Sequence, residues 1–252
     1  RPEMRKFLVL SALACLSITL FGTLVRAAEK PIQVLLLAGD DVAPFHDWRE
    51  NSEATREVLV ATGRFGVRVC EDPAILDSGT ALKAYDVIVF THYAKSLPML
   101  SDAAKENLVQ FVQGGKGLYV QHLASASYGQ WEEFGKMCGR HWVMGTSGHG
   151  PRSVFQCKVT NTEHPITKGI KDFKIFDELY AKLQGEEEID VLVTADSDWS
   201  EQTESMVFTS TYGEGRCVHN ALGHDRKAIM DPVNKKLIAR GVEWAATGSV
   251  AE

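Results

Sequence analysis

Four of the eight histidines in this 252-residue chain stand where a run of apolar residues ends. His46 lies just past the run at 33–38, His92 closes the run at 85–90, His122 closes 116–121, and His224 follows 216–221. Imidazole changes charge near neutral pH, so it serves as a general base, a neutral metal ligand or a hydrogen-bond partner for hydroxyls. His141 and His149, in the glycine-rich stretch GRHWVMGTSGHG, are placed to join them from a loop. The sequence has no HExxH or similar local spacing, so a divalent metal such as zinc must be gathered from distant segments. His122, His141 and His149 are the candidate metal ligands, with His46 and His224 completing a polar or metal-holding cleft.

The segment GKGLYVQHLAS sharpens this reading. A strand that leaves a glycine-rich turn and feeds a helix forms an elbow whose tip is pushed into a cleft. Here the tip is His122. Imidazole is a poor stable carrier of acyl groups, and Ser125 and Ser127 lack a GxSxG frame, so triad chemistry is not expected and the two serines read as helix caps. The carboxylates lie at 177–180, DELY. On a strand Asp177 and Glu178 face opposite ways, so one of them reaches the cleft; Glu178 is that one, with Tyr180 on its face. An aromatic ring beside a carboxylate suits a sugar and its hydroxyls. Asp225, next to His224, either orients an imidazole or caps the following turn. Trp48 and Trp142 flank the same segments and can stack on sugar faces, although core packing is the ordinary role of any one tryptophan. Candidate catalytic groups are therefore His122, Glu178 and His224; candidate substrate contacts are His46, Trp48, His92, Trp142, Tyr180 and Asp225.

The elements that must position these groups alternate. The apolar run 33–38 reads as a buried strand, followed by a helix at 48–61 that opens with a capping box, Asp47 and Glu50, and stops at Gly63. Strands at 65–70, 85–90 and 116–121 enclose a helix that Ser101 caps and Gly114-Gly115 ends. Further strands are expected at 153–159, 190–195, 206–212 and 216–221, and Asp231-Pro232 opens a last helix toward Trp244. This order predicts an α/β sandwich with a mostly parallel sheet covered on both faces and its ligand at the strand C-terminal ends. No linker or repeat breaks the chain, which reads as one domain over 28–252 with insertions near 140–190.

Composition bounds the function. With 44% apolar and 24% charged residues the chain is ordinary globular protein, not a disordered or fibrous one. A net charge of −6 without a basic stripe repels phosphate backbones, so nucleic acid is not an expected partner. A small neutral molecule is. Arg5 and Lys6, the apolar stretch 7–25 and Val25-Arg26-Ala27 form a signal-peptide pattern ending at 27, which predicts a periplasmic or secreted protein without membrane contact after cleavage. An uncleaved signal anchor is the alternative. Cys70, Cys138, Cys157 and Cys217 make no CxxC pair and are read as free thiols or at most one disulfide. Self-association is left open.

Several short motifs occur together: Gly39 with His46-Asp47-Trp48, GKGLYVQH, Trp131 with Phe134 and Gly139, HPIT at 164–167, DELY, YGEGR at 212–216, ALGHD at 221–225, and Glu243-Trp244-Ala245. In this order they resemble the ThuA-like (trehalose utilisation) family, over roughly residues 32–247. Glu214 and Ser205 depart from the family pattern where Lys and Pro are usual. The resemblance implies a class I glutamine amidotransferase-like, flavodoxin-like fold whose amidotransferase cysteine is replaced at the elbow by His122, so ammonia release is not expected. It also implies disaccharide or 3-keto-sugar catabolism, and in some relatives a metal in the histidine cleft. The expected activity is hydrolysis or elimination at an oxidised glycoside, with a non-catalytic sugar-binding module and a metal-dependent hydrolase of non-sugar substrates as the alternatives.

Overall fold

The computed structural model describes residues 30–39, 45–94 and 99–251; the expected signal peptide at 1–27 lies outside the described residues. The apolar runs form strands because each is buried on both faces. β1 (Ile32–Leu37), β3 (Val87–Phe90) and β4 (Gly117–Gln121) alternate their side chains between two cores. Val34, Leu36, Val87, Val89 and Tyr119 enter one core; Leu35, Leu37, Ile88, Phe90, Leu118 and Val120 enter the other. β2 (Phe65–Cys70) completes this parallel group at the edge.

Helices cover both faces. α1 (Trp48–Val60) starts at Asp47, whose side chain accepts the Glu50 N–H at 3.0 Å. α2 (Gly79–Leu82) and α3 (Asp102–Gln113) follow on the opposite face, α3 capped by Ser101. Beyond β4 come α4 (Glu132–Cys138) and the short strand β5 (Gly148–His149). Then β6 (Ser153–Val159), β7 (Phe173–Asp177), β8 (Tyr180–Ala181), β9 (Asp190–Ser197), β10 (Gln202–Tyr212) and β11 (Gly215–Asn220) lead to α5 (Arg226–Ile229) and α6 (Pro232–Thr247). Asp231 caps α6, Pro232 occupies its first turn, and Gly248 closes it in the left-handed conformation.

The second half does extend the first sheet. Nine strands run in the order β2-β1-β3-β4-β11-β10-β9-β6-β7, with β5 and β8 paired separately. The pairs from β2 to β11 are parallel and those from β11 to β7 antiparallel, so the sheet is mixed with a parallel core. The C-terminal ends of β1, β3, β4 and β11 thus open on one rim. The four described cysteines are free thiols. No described helix is long and apolar enough to cross a membrane.

The rim beyond β11 is held by a buried amide network. Asn220 Nδ2 donates to Tyr119 Oη at 3.0 Å and to Asn234 Oδ1 at 2.9 Å, while its Oδ1 accepts from the Leu222 N–H at 3.0 Å. Asn234 in turn donates to the Ala228 carbonyl at 2.9 Å. Both asparagines are fully buried. Asn220→Ala leaves these partners unpaired in a dry site, so unfolding in urea should show a loss of about 1–3 kcal/mol. A loss below the error of that measurement would mean that water replaces the amide.

Candidate functional site

His122 directly follows β4 with φ of 46°, in the left-handed region that side-chain-bearing residues rarely adopt. This is the elbow, and it turns the imidazole into the rim. There Nδ1 meets the Ala221 carbonyl oxygen at 2.7 Å. A carbonyl only accepts, so Nδ1 carries the proton and Nε2 points inward. His46 arrives from the segment between β1 and α1. His224 follows Gly223, which has φ of +118° and leaves no room for a substitution without backbone strain. The His224 carbonyl is gripped from α1 by Asn51 Nδ2 at 2.9 Å.

Glu178 follows β7 at the far antiparallel edge and is brought in by its neighbour. The Asp177 carboxylate accepts the backbone N–H groups of Glu178 at 2.9 Å, Gly223 at 2.7 Å and His224 at 3.0 Å. It ties the turn after β7 to the turn after β11. Burial pushes the Asp177 carboxyl up, and the charge of His122 and these three N–H groups oppose it.

The result is a convergence on one oxygen. Glu178 Oε2 lies 3.1 Å from His224 Nδ1, 3.5 Å from His122 Nε2 and 4.0 Å from His46 Nε2. The other oxygen, Oε1, lies 3.4 Å from His149 Nδ1. Burial alone would raise the Glu178 carboxyl, but the adjacent His122 and His224 imidazoles hold it well below the usual carboxylate range. His46 is pushed down to about 3, first by burial and then by the other imidazoles, and is therefore uncharged at neutral pH. Neither of its ring nitrogens has a hydrogen-bond partner, and neither does His122 Nε2. A lone pair on Nε2 facing a carboxylate oxygen is repulsive unless a proton or a cation stands between them.

Those donors suit a cation. One ligand atom from each of His46, His122, Glu178 and His224 lies within 4.8 Å of the others. Three imidazole nitrogens and one carboxylate oxygen match the preferences of a borderline divalent ion such as zinc. Donors on a tetrahedral ion with bonds near 2.1 Å stand roughly 3.4 Å apart, so Glu178 Oε2 is already at that spacing from His224 Nδ1 and His122 Nε2, while the widest pairs, within 4.8 Å, must close by roughly an ångström.

Other expected residues fall at varying distances. Tyr180 stacks on His122 with ring centroids 4.0 Å apart, and Trp142 packs on Tyr180 at 4.6 Å. Trp48 lines a small recess with His46, Asn51 and His122, its ring under the Arg49 guanidinium at 4.0 Å. His149 touches Glu178 but is not among the four converging donors. His141, expected as a metal ligand, is placed elsewhere. Its backbone bridges to Gln184, and its ring packs on Gly135 in a separate cleft with Lys136. His92 is likewise turned away: its Nδ1 lies 3.1 Å from the Ala38 oxygen, and its ring stacks on Tyr128. Asp225 caps α5 through the Ala228 N–H at 2.9 Å and pairs with Arg152. Ser125 and Ser127 brace the elbow by bonding the carbonyls of His122 and His92. Glu178 is at the rim, where it was expected as a catalytic group; its place among the converging donors and the part of Asp177 as a clamp were not legible, because they depend on the turn after β11 packing against the turn after β7.

Two outcomes follow from this geometry. His122→Gly should be more stable than His122→Ala by about 1 kcal/mol in urea unfolding, since glycine tolerates the left-handed conformation, while both lose metal binding. Equal stabilities would mean that the elbow relaxes. In metal-free protein, unfolded His46 binds a proton near 6.5 and folded His46 only near about 3. The unfolded state then holds more protons in that window, so stability falls as pH drops through it. Glu178 adds the same sign at lower pH and Asp177 the opposite one. The urea midpoint should fall between about pH 6.5 and 5, and His46→Gln should flatten that slope.

Comparison with known proteins agrees with this architecture. A family model described as ThuA, trehalose utilisation, matches residues 33–245. A ThuA-like protein of Parabacteroides merdae superposes with a TM-score of 0.76 at 26% identity, over 88% of this chain and 92% of that one. Another from Bacteroides uniformis gives 0.70 at 18% identity, over 90% and 98%. No curated protein matches the chain. The matched span takes in both edges of the sheet, the elbow at His122 and the turns that carry Glu178 and His224, and the chain belongs to the ThuA, trehalose utilisation, family.

Proposed function

We propose that this chain is an exported, metal-dependent carbohydrate-processing enzyme that cleaves 3-keto-glycosides by elimination or hydrolysis. The observation that carries the proposal is the convergence of three imidazole nitrogens on one buried carboxylate oxygen. The family description, trehalose utilisation, points to the sugar. The pattern of Arg5, Lys6 and the apolar stretch 7–25 supports export.

His46, His122, His224 and Glu178 would hold the cation, which when bound supplies Lewis-acid polarisation of a carbonyl oxygen. His149 is then the free base. Its Nδ1 lies 2.7 Å from the Gly150 oxygen and is held by that acceptor, so the lone pair is on Nε2, and the side chain is 36% exposed. A ketone at sugar carbon 3 acidifies the C–H at carbon 2. Nε2 takes that proton, the released electron pair becomes the double bond between carbons 1 and 2, and the bond from carbon 1 to the leaving oxygen breaks. The imidazolium returns its proton to the leaving oxygen. The step is redox-neutral, and water adding across the double bond completes hydrolysis.

Ordinary glycosidases need two opposed carboxyl groups. Glu178 is committed to the histidines and Asp177 to three backbone N–H groups, so the rim supplies no such pair from these two. Purified protein should contain about one divalent metal per chain and cleave 3-keto-trehalose but not trehalose. His149→Ala should keep its metal and lose about 10²–10⁴-fold in kcat, the usual worth of a general base. Turnover of neither sugar would overturn the proposal.

A further inference from the structure

We infer that the cleft between Tyr128 and Trp142 is the ring-binding subsite for an uncharged, polyhydroxylated ligand, a sugar ring whose reacting end reaches the histidine cluster. The inference rests on the sugar reading above and adds where and how the ring is held. The recess at the cluster itself, between His46, Trp48 and His122, has a volume near 30 Å³, which is room for a water or two and not for a ring. The neighbouring cleft measures about 430 Å³, within the range of small-molecule sites.

Its walls have the chemistry of a sugar platform. Trp142 supplies half-buried aromatic surface with the buried rings of Tyr93 and Tyr128 behind it, Met99 and Met144 an exposed apolar edge, and Gln130 an amide. None of the described lining residues carries a formal charge, a lining that suits a neutral sugar better than a phosphorylated or acidic one. Trp142 links this cleft to the chemistry: it lines the cleft, packs on Tyr180 at 4.6 Å, and Tyr180 stacks on His122 at 4.0 Å.

Two of the lining residues carry a polar atom with unmet bonding capacity just behind the walls. Tyr128 Oη and Trp142 Nε1 are both buried without a hydrogen-bond partner. Such groups are costly to the fold and rare in native proteins unless something else satisfies them. Tyr128 is also held at φ of 52°, in the left-handed region, with its ring between Phe90, Trp131 and Phe134. A ring fixed at that backbone cost and ending in an unpaired hydroxyl is better suited to a ligand than to packing alone.

Calorimetric titration of the metal-loaded protein with trehalose, which the proposed reaction does not consume, tests the inference. Trehalose should bind, and trehalose 6-phosphate should bind at least about tenfold more weakly for want of a counter-charge. Tyr128→Phe should weaken trehalose binding about three- to tenfold, the worth of one neutral hydrogen bond, while metal per chain stays constant and the thermal midpoint holds or rises. Trp142→Phe should weaken it similarly and remove the ligand-induced change in tryptophan fluorescence. A purely structural Tyr128 would show no affinity change. Wild-type binding that both variants retain would overturn the subsite and leave the sugar reading standing; equal affinity for the phosphorylated sugar would overturn the neutral-ligand assignment. Absence of any sugar binding to wild type would overturn the sugar reading, and the subsite with it.

Discussion

One buried carboxylate joins two distant turns. Asp177 is fully buried and accepts three backbone N–H groups, from Glu178 beside it and from Gly223 and His224 some 46 residues on. β7 is the outer antiparallel strand and β11 lies beside the parallel core, so the sheet alone would not bring their turns together. The carboxylate makes each turn complete the other. Its three N–H partners compensate for much of the cost of burying it, and that cost is why burial pushes its carboxyl up. The convergence of Glu178 Oε2 on His224 Nδ1 depends on this bond set, as does the orientation of the segment that carries Tyr180 onto His122.

The opposite side of the rim is held by backbone strain and amides. The left-handed His122 costs on the order of 1–2 kcal/mol, and the surrounding bonds overdetermine it: Nδ1 to Ala221, Ser125 to its carbonyl, and the Gln121–Thr55 contact one residue earlier. Asn220, Asn234 and Asn51 fix the turn that carries His224. His122 through its ring and His224 through its backbone are thus each oriented by a group that does not face the cluster. That arrangement fixes these two donors rather than leaving them mobile.

Much of this was legible because it is local. Buried apolar runs, the Asp47, Ser101 and Asp231 caps and the glycine that ends α3 follow from the residues within a few positions. Histidines at the ends of parallel strands share a rim for a reason that strand order makes general. Direction was not legible. His92 ends a strand as His122 does, yet Gly39 at φ of +130°, where a Cβ would lie 2.7 Å from His92 Nδ1, leaves room for that ring to turn to the Ala38 carbonyl instead. His141 sits in the same glycine-rich stretch as His149, but its pairing with Gln184 faces it elsewhere. Such choices depend on which distant segment packs alongside, and spacing along one chain does not encode that.

The charge of the rim bears on the kind of transition state it would favour. Glu178 is held ionised and His46 uncharged, so a divalent cation on these donors, with the other two ligand imidazoles neutral, would leave the cluster at a net charge of about +1. Glycosidases stabilise a cationic, oxocarbenium-like transition state with carboxylates, and a net positive cluster would oppose it. Negative charge developing on a carbonyl oxygen, as the neighbouring C–H gives up its proton, would be stabilised by the same field. Asp177, which would have tipped the balance the other way, is withdrawn from the rim by its three N–H partners. With a cation bound, the bond that assembles the cluster would therefore also set its electrostatic sign, and that sign would favour proton abstraction beside a ketone over direct departure of a glycosidic oxygen.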